Sequence, residues 1–126
     1  MSEKKTQIAI VDDDDSIRRS LVRLLTSTDH AVHAFASAAE FLASPEFESV
    51  SCVVSDLRMP DLDGLQLQET LQEKLPHLSM IFITGHGDIP ATVTAMKAGA
   101  VDFLEKPVKG GVLMAAIQQA VERSHK

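Results

Sequence analysis

The sequence predicts an α/β protein in which five parallel β-strands form one doubly wound sheet with helices on both faces. Three observations lead to this prediction. Short β-like runs alternate five times with helical patterns, which is typical of βα units. Strand-like runs such as Ile8-Ala9-Ile10-Val11 and Cys52-Val53-Val54 are almost continuously apolar, as in parallel strands buried on both sides. With 126 residues, of which 44% are hydrophobic, the chain is expected to fold around a core of its own.

The periodicity of apolar residues sets the order of the elements. Strands are predicted at residues 7–12, 31–35, 51–55, 79–84 and 101–105, because each is a short run bounded by polar or turn-forming residues. Helices are predicted after each strand, at residues 16–27, 37–43, 64–74, 89–98 and 109–123, where apolar residues recur every three or four positions. Together these segments make five βα units, which we expect to form a single domain over residues 1–126 with its core at about 7–122.

Capping residues mark several helix ends. Asp14, Asp15 and Ser16 are candidates to cap the first helix, which has one apolar stripe. The fourth helix begins at Asp88-Ile89-Pro90, an acid followed by a proline that is tolerated in a first turn. The fifth helix begins near Gly110-Gly111, so its first turn is expected to be loosely formed.

Composition excludes several classes of function. A net charge of −6 and an isoelectric point near 5.2 argue against direct binding to nucleic acid or to an anionic membrane. Cys52 is the only cysteine and lies in an apolar run, so we expect a core residue, no intrachain disulfide and a cytoplasmic setting. The N-terminus is polar, so we expect no export signal. No run reaches about 18 consecutive apolar residues, so we expect no membrane span.

Acidic residues stand where two of the predicted strands end. Asp12 and Asp13 follow the first strand, and Asp56 follows the third. In a parallel sheet these ends lie at one edge, so the carboxylates are expected to meet there. Two carboxylates about 4 Å apart repel by roughly 4 kcal/mol at an effective dielectric constant of about 20. A cation must balance such a cluster, and oxygen ligands suit Mg²⁺.

The fourth and fifth strands bring groups that suit an anion to the same edge. Thr84 ends the fourth strand and Lys106 follows the fifth, which supplies a hydroxyl and an ammonium group. In combination with the acids, these groups suit phosphoryl transfer to Asp56 as a carboxylate nucleophile, with Thr84 and Lys106 stabilising the developing charge.

Structural roles compete with each of these assignments. A lone acid at a strand end is more often a helix cap or a solvated loop residue, and Thr84 or Lys106 taken singly has an ordinary interpretation too. Their meeting at one edge favours function. His86 has no spaced histidine or cysteine partners and is interpreted as a loop residue that influences phosphate lifetime. Four phenylalanines are assigned to the core: Phe35, Phe41, Phe47 and Phe82.

Four motifs in order resemble the receiver domain of two-component response regulators over residues 7 to about 122. They are Val11-Asp12-Asp13-Asp14, Asp56-Leu57-Arg58-Met59-Pro60-Asp61-Leu62-Asp63-Gly64, Thr84-Gly85-His86-Gly87 and Lys106-Pro107. The resemblance implies the CheY-like, flavodoxin-like strand order 2-1-3-4-5. It also implies that Asp56 accepts a phosphoryl group from the phosphohistidine of a sensor histidine kinase. The chain would then be a regulatory phosphoacceptor with self-catalysed transfer and dephosphorylation, rather than an enzyme acting on diffusing metabolites.

The resemblance further implies a ligand set and a switch. Asp12 and Asp13, with Asp56, would position Mg²⁺, with Mn²⁺ as an alternative ion, and the main-chain carbonyl of Arg58 would add a ligand. Phe103 falls at the aromatic switch position, where it would rotate inward as Thr84 moves toward the phosphoryl group.

The segments Ile83–Pro90 and Met96–Pro107 are especially similar to FixJ-type receivers, which usually precede a helix-turn-helix output domain. We expect that domain to be absent from this chain, so that transcriptional control through DNA would need it. A homodimer formed on phosphorylation is expected at the face of the fourth helix and fifth strand, using Val93, Lys97 and Asp102.

Two other functions use similar parts. An aspartyl-phosphate phosphatase of the haloacid dehalogenase class would place its nucleophile after the first strand, in an Asp-x-Asp arrangement that this chain lacks. A flavodoxin-like carrier of FMN would favour Ser, Thr and Gly over the four consecutive aspartates that follow Val11. Turnover of small phosphate esters would revive the first alternative, and a colourless purified protein would further weaken the second.

Overall fold

A computed structural model describes residues 6–26, 30–60, 62–85 and 88–124. Within these ranges the strands are β1 (Gln7–Val11), β2 (Ala31–Phe35), β3 (Cys52–Asp56), β4 (Ser79–Thr84) and β5 (Asp102–Glu105). The helices are α1 (Asp15–Thr26), α2 (Ala38–Leu42), α3 (Gly64–Lys74), α4 (Ile89–Lys97) and α5 (Gly110–Ser124), with a short 3-10 helix at Phe47–Ser49. The predicted alternation is confirmed, and no element bound differs from its prediction by more than one residue.

The five strands form one parallel sheet in the order β2-β1-β3-β4-β5, which confirms the order implied by the resemblance. The register fixes which strand ends are neighbours. Val11 lies opposite Ser55, so the residues that follow them, Asp12 and Asp56, leave β1 and β3 side by side. Thr84 lies opposite Glu105, which puts Lys106 just beyond the end of β4. Four candidate site residues are therefore brought to one edge by the sheet itself.

Side chains alternate between the two faces of the sheet and build two cores. Ile8 and Ile10 face α1 and α5, where Leu25 and Ile117 are fully buried. The intervening residues face α2, α3 and α4, in a second cluster of buried side chains that includes Ala9, Val11, Phe41, Leu67 and Ala95. Burial of both faces explains why the strands read as continuous apolar runs.

The predicted core residues occupy these two clusters with one partial exception. Phe35, Phe41 and Phe82 are buried, whereas Phe47 is only partly buried and packs edge-on against Phe41 with ring centroids 5.6 Å apart. Cys52 is fully buried, and this burial raises the pKa of its thiol to about 12. The thiol is thus protonated and unreactive at neutral pH.

Three helices begin close to the residues that the sequence indicates. Asp14 is the residue that caps α1, because its Oδ1 accepts a hydrogen bond of 3.1 Å from the amide of Ile17. Asp88 caps α4 through Ala91. The glycine pair does not delay α5, which begins at Gly110. A Cβ on Gly110 would lie 3.2 Å from the side chain of Leu24, so the glycine allows α5 to approach α1 closely.

In the part of the chain described above, none of the helices combines the length and apolar character required to cross a bilayer.

Candidate functional site

Three carboxylates meet at the carboxyl edge of the sheet. Oxygen atoms of Asp12, Asp13 and Asp56 lie within 4.8 Å of one another. Asp12 and Asp56 are buried, with 1% and 7% of their surface exposed, whereas Asp13 is open to solvent. This arrangement leaves one side of the cluster accessible, as a cation or a small anionic reactant would require.

Lys106 supplies the positive charge that this cluster needs. Its Nζ donates a hydrogen bond of 3.2 Å to Oδ2 of Asp56 and lies 3.5 Å from Oδ2 of Asp12. The peptide bond between Lys106 and Pro107 is cis, and the amide of Lys106 donates to the carbonyl of Thr84 at 2.9 Å. Partial burial acts to lower the pKa of Lys106, but the charges of Asp12 and Asp56 outweigh it and raise that pKa. The lysine is held as a cation.

Burial makes the negative charge of Asp12 unfavourable. Burial is the main cause that raises the pKa of its carboxyl group, and the negative charge of Asp56 adds to it. The amide of Asp14 donates to Oδ1 at 2.9 Å and, with Lys106, acts in the opposite direction. Oδ2 of Asp12 is buried and, among the described residues, receives no hydrogen bond. A buried carboxylate oxygen without a donor is a fitting ligand for a hard cation.

The backbone around Asp56 is held from two sides. The amide of Arg58 donates to Oδ1 of Asp56 at 3.3 Å, and the amide of Leu57 donates to the carbonyl of Ile83 at 2.9 Å. Gly64, the first residue of α3, packs directly on this segment, since a Cβ there would lie 2.6 Å from the carbonyl oxygen of Asp56. Only glycine allows the start of α3 to approach the strand end this closely.

Thr84 and Phe103 lie beside a groove between β5 and α4. Thr84 is buried at the end of β4, and the side chain of Phe103 is turned outward with 39% of the residue exposed. Both line a groove of about 440 Å³ together with residues of α4. Thr84 therefore borders both the acidic edge of the sheet and the α4–β5 face.

The remaining predicted site residues are placed as follows. Val93 and Lys97 are exposed on α4, and Asp102 is half-buried at the start of β5, where its carboxylate accepts a hydrogen bond of 2.8 Å from the amide of Phe103. Arg58 lies in the loop after β3, and the metal-binding role of its carbonyl stays a prediction. His86 lies outside the described residues.

Three contacts near the site were not foreseen from the sequence. The guanidinium of Arg58 forms an ion pair with Asp88, which is 30 positions away. Gln68 donates from α3 to the carbonyl of Ala95 in α4 at 3.0 Å. The third is the contact of Gly64 with Asp56. Only the contact of Gly64 could have been predicted from nearby sequence, because a glycine that follows an acidic turn indicates close backbone approach. The other two contacts join residues of separate βα units.

Comparison with known proteins identifies the family. Residues 8–118 match the profile of the response regulator receiver domain. Nodulation protein W of Bradyrhizobium diazoefficiens is 49% identical over 122 residues, covering 97% of this chain and 54% of that protein. The transcriptional regulatory protein FixJ of Azorhizobium caulinodans is 44% identical over 117 residues, covering 93% of this chain and 56% of that protein. The chain thus spans about half the length of these curated relatives.

Solved structures agree in fold. FixJ-N superimposes with a TM-score of 0.84 at 44% identity, covering 95% of this chain and 96% of that one. A response regulator receiver domain protein from Clostridium thermocellum gives a TM-score of 0.88 at 31% identity, covering 95% and 97%. These matches favour the receiver interpretation over the phosphatase and flavodoxin alternatives. From its sequence, its strand order and its relatives alike, the chain belongs to the response regulator receiver domain family of two-component systems, in its FixJ-type branch.

Proposed function

We propose that Asp56 is a phosphoacceptor, which takes its phosphoryl group from the phosphohistidine of a sensor histidine kinase. One observation carries this proposal: Asp56 is buried at a strand end, with the ammonium of Lys106 at 3.2 Å and the carboxylates of Asp12 and Asp13 beside it. A nucleophilic oxygen, a fixed cation and a cation-binding acid cluster are the parts that phosphoryl transfer to a carboxylate requires.

In the proposed reaction an oxygen of Asp56 attacks phosphorus as the bond from phosphorus to the imidazole nitrogen of the kinase breaks. The bonding electrons pass to the imidazole, which takes a proton from solvent, and Asp56 becomes an acyl phosphate. Lys106 donates to a phosphoryl oxygen, because its ammonium already lies against Oδ2 of Asp56. The hydroxyl of Thr84, at the end of the neighbouring strand, donates a hydrogen bond to another phosphoryl oxygen. Water later attacks phosphorus, the bond from phosphorus to the Asp56 oxygen breaks, and the carboxylate is restored as inorganic phosphate and a proton leave. We propose that His86 influences the rate of this step.

We propose Asp12, Asp13 and Asp56 as the ligands of Mg²⁺, with the Arg58 carbonyl as a fourth and Mn²⁺ as an alternative ion. The buried oxygen of Asp12 without a donor and the all-carboxylate composition support this assignment. Bound there, the ion supplies charge neutralisation for the carboxylates and for the transferring phosphoryl group.

The proposed output is a change in the face formed by α4 and β5. Thr84 and Phe103 line the same groove, so movement of the threonine toward a phosphoryl group opens space for the aromatic ring. Four large apolar residues are exposed on this face: Ile89, Val93, Met96 and Phe103. We propose that two phosphorylated copies associate here, with Lys97 and Asp102 paired across a two-fold axis. By analogy with FixJ, which is named a transcriptional regulatory protein, the dimer would act on transcription through a separate DNA-binding output domain.

Treatment with acetyl phosphate and Mg²⁺ tests the chemistry without a kinase. Intact mass should show one added phosphoryl group that hydroxylamine removes, and size-exclusion chromatography should show a larger species. Chelation of the metal or the substitution Asp56→Asn should abolish the addition. Asp63→Asn is the matched control, because Asn also caps a helix and the change lies just before α3. Addition that persists in Asp56→Asn would refute the assignment.

A further inference from the structure

An ion pair links the loop after β3, the strand that ends at Asp56, to the beginning of α4. Nε and Nη2 of Arg58 both contact Oδ2 of Asp88. Arg58 lies two residues after Asp56, whereas Asp88 is the capping residue of α4. The pair therefore joins two βα units of the fold at the side of the site where Thr84 ends its strand.

Both partners also make contacts that reach further. The amide of Arg58 donates to Oδ1 of Asp56 at 3.3 Å. On the other side, Oδ1 of Asp88 accepts from the amide of Ala91 at 3.4 Å, and the carbonyl of Asp88 accepts from Thr92 at 2.9 Å. A continuous series of contacts thus runs from the acceptor carboxylate to the first turn of α4.

The opposite end of α4 is held more firmly. Gln68, itself 4% exposed, donates from α3 to the carbonyl of Ala95 at 3.0 Å. The same carbonyl accepts from Ala100 at 3.1 Å, and Gly99, at a φ of 107°, donates to Met96 at 3.1 Å. This glycine-terminated turn leaves the last carbonyls of the helix satisfied. By contrast, the ion pair at the beginning of α4 depends on an arginine side chain that is 67% exposed, against 19% for Asp88. Exposed ion pairs are weak, so the beginning of α4 is the end that can be released.

We propose that Arg58 is a positioning residue whose ion pair with Asp88, here called the latch, holds the beginning of α4 against the loop after β3. When the latch opens, α4 pivots about the end that is bound by Gln68. Thr84 precedes Asp88 by only four residues, so the latch resists the movement of Thr84 toward Asp56. This consequence rests on the proposed function, whereas the latch itself does not.

Amide hydrogen exchange in the untreated protein tests the latch directly. Arg58→Gln and Asp88→Asn each break the pair, and Asn retains the helix cap. The amides of Ala91, Thr92 and Val93 should exchange about two- to five-fold faster, as expected for an exposed pair. The amides of residues 95–100 should not change. Arg19→Gln is the matched control, because it removes another exposed arginine that pairs with an aspartate, on α1. Unchanged exchange in the first turn, or faster exchange along the whole helix, would overturn the proposal.

The rate of phosphorylation by acetyl phosphate with Mg²⁺ tests coupling to the site. If charge alone matters, loss of the arginine charge should slow the reaction with the anionic donor, and loss of the aspartate charge should speed it. A latch predicts that both variants react faster, by about two- to five-fold, and that the double variant is no faster than either. Arg58→Lys should recover part of the parent rate. Opposite or additive effects would refute the coupling. If the parent protein gains no phosphoryl group, the proposed function fails, and the exchange measurement alone decides the latch.

Discussion

The acidic edge of the sheet and the α4–β5 face differ in almost every physical respect, although both border Thr84. At the edge, Asp12 and Asp56 are buried, charged and fixed by adjacent strands. On the face, Ile89 and Val93 are apolar but exposed, at 69% and 44%. Each region is unfavourable in isolation, the first because of buried charge and the second because of exposed apolar surface. In the proposed function a bound cation would relieve the first, and association of two copies would relieve the second.

The contrast also shows how the fold divides the work. A parallel sheet buried on both faces is stiff, so it places reacting groups accurately at its carboxyl edge. The face lies on a helix whose beginning is tied to the loop after β3 by an ion pair between Arg58, which is 67% exposed, and Asp88. Substitutions at the acidic edge should therefore alter the rate of phosphoryl addition strongly. Substitutions on the α4–β5 face should alter association and leave that rate unchanged.

The largest effect is expected for Lys106→Met, which removes the cation from the acidic edge. Loss of one preorganised charge donor typically lowers a rate by about 10²–10³. We expect a loss of this size in the rate of phosphoryl addition from acetyl phosphate, followed by intact mass. Lys106→Arg should retain part of the rate, and Lys109→Met, an exposed lysine three residues later, should retain all of it. A rate within two-fold of the parent for Lys106→Met would contradict this role.

The next largest effect is expected for Gly64→Ala, which tests how rigidly the edge is built. The added Cβ would lie 2.6 Å from the carbonyl oxygen of Asp56 and 2.9 Å from the ring of Phe82. Backbone must shift to relieve this contact, at a cost of about 1–3 kcal/mol in the free energy of unfolding. Urea denaturation measures that cost. Gly85→Ala is the control, because a Cβ there meets nothing within 4 Å. Equal losses in the two variants would show that close approach at Gly64 is unimportant.

A smaller effect of opposite sign is expected for Asp12→Asn in the absence of metal. Burial raises the pKa of this carboxyl group even though the ammonium of Lys106 lies 3.5 Å from Oδ2, so its charge is unfavourable in the fold. Replacing it with a neutral amide should stabilise the protein in EDTA by on the order of 1 kcal/mol. Mg²⁺ should then stabilise the parent far more than the variant. Thermal unfolding in EDTA and in Mg²⁺ measures both differences. A variant that is less stable than the parent in EDTA would show that the buried charge of Asp12 does not destabilise the fold.

The same variant has a defined pH dependence. The pKa of Asp12 is raised in the folded protein above its ordinary value of 3.8, mainly by burial, so the folded state binds this proton more tightly than the unfolded state. The resulting stabilisation is complete below 3.8 and is lost as pH rises through the raised pKa. The stability gap between Asp12→Asn and the parent should therefore be small in acid and largest near neutral pH. A gap that narrows with rising pH would be inconsistent with this shift.

Sequence reasoning succeeded where a feature repeats along the chain or ends an element. The period of the apolar residues located all five strands, and the strand ends then brought Asp12, Asp56 and Lys106 together. It failed where a contact depends on how separate βα units pack. No spacing rule pairs Arg58 with Asp88 or places the side chain of Leu24 against Gly110. The short 3-10 helix at Phe47–Ser49 carries no periodic signal either.

The smallest effect on the folded monomer is expected for Val93→Lys on the α4–β5 face. Val93 is exposed, so the free energy of unfolding should change by no more than about 0.5 kcal/mol. The rate of phosphoryl addition should also stay the same, because the change adds no group to the cluster of Asp12, Asp56 and Lys106. In a dimer, however, the new charge would lie near Lys97 and would replace apolar contact area on both copies. Analytical ultracentrifugation after acetyl phosphate treatment should therefore show a monomer for this variant and a dimer for Ala39→Lys, which adds the same charge on exposed α2. Dimers of unchanged affinity in Val93→Lys would place the contact elsewhere, and the exposed apolar residues of α4 would then need another partner.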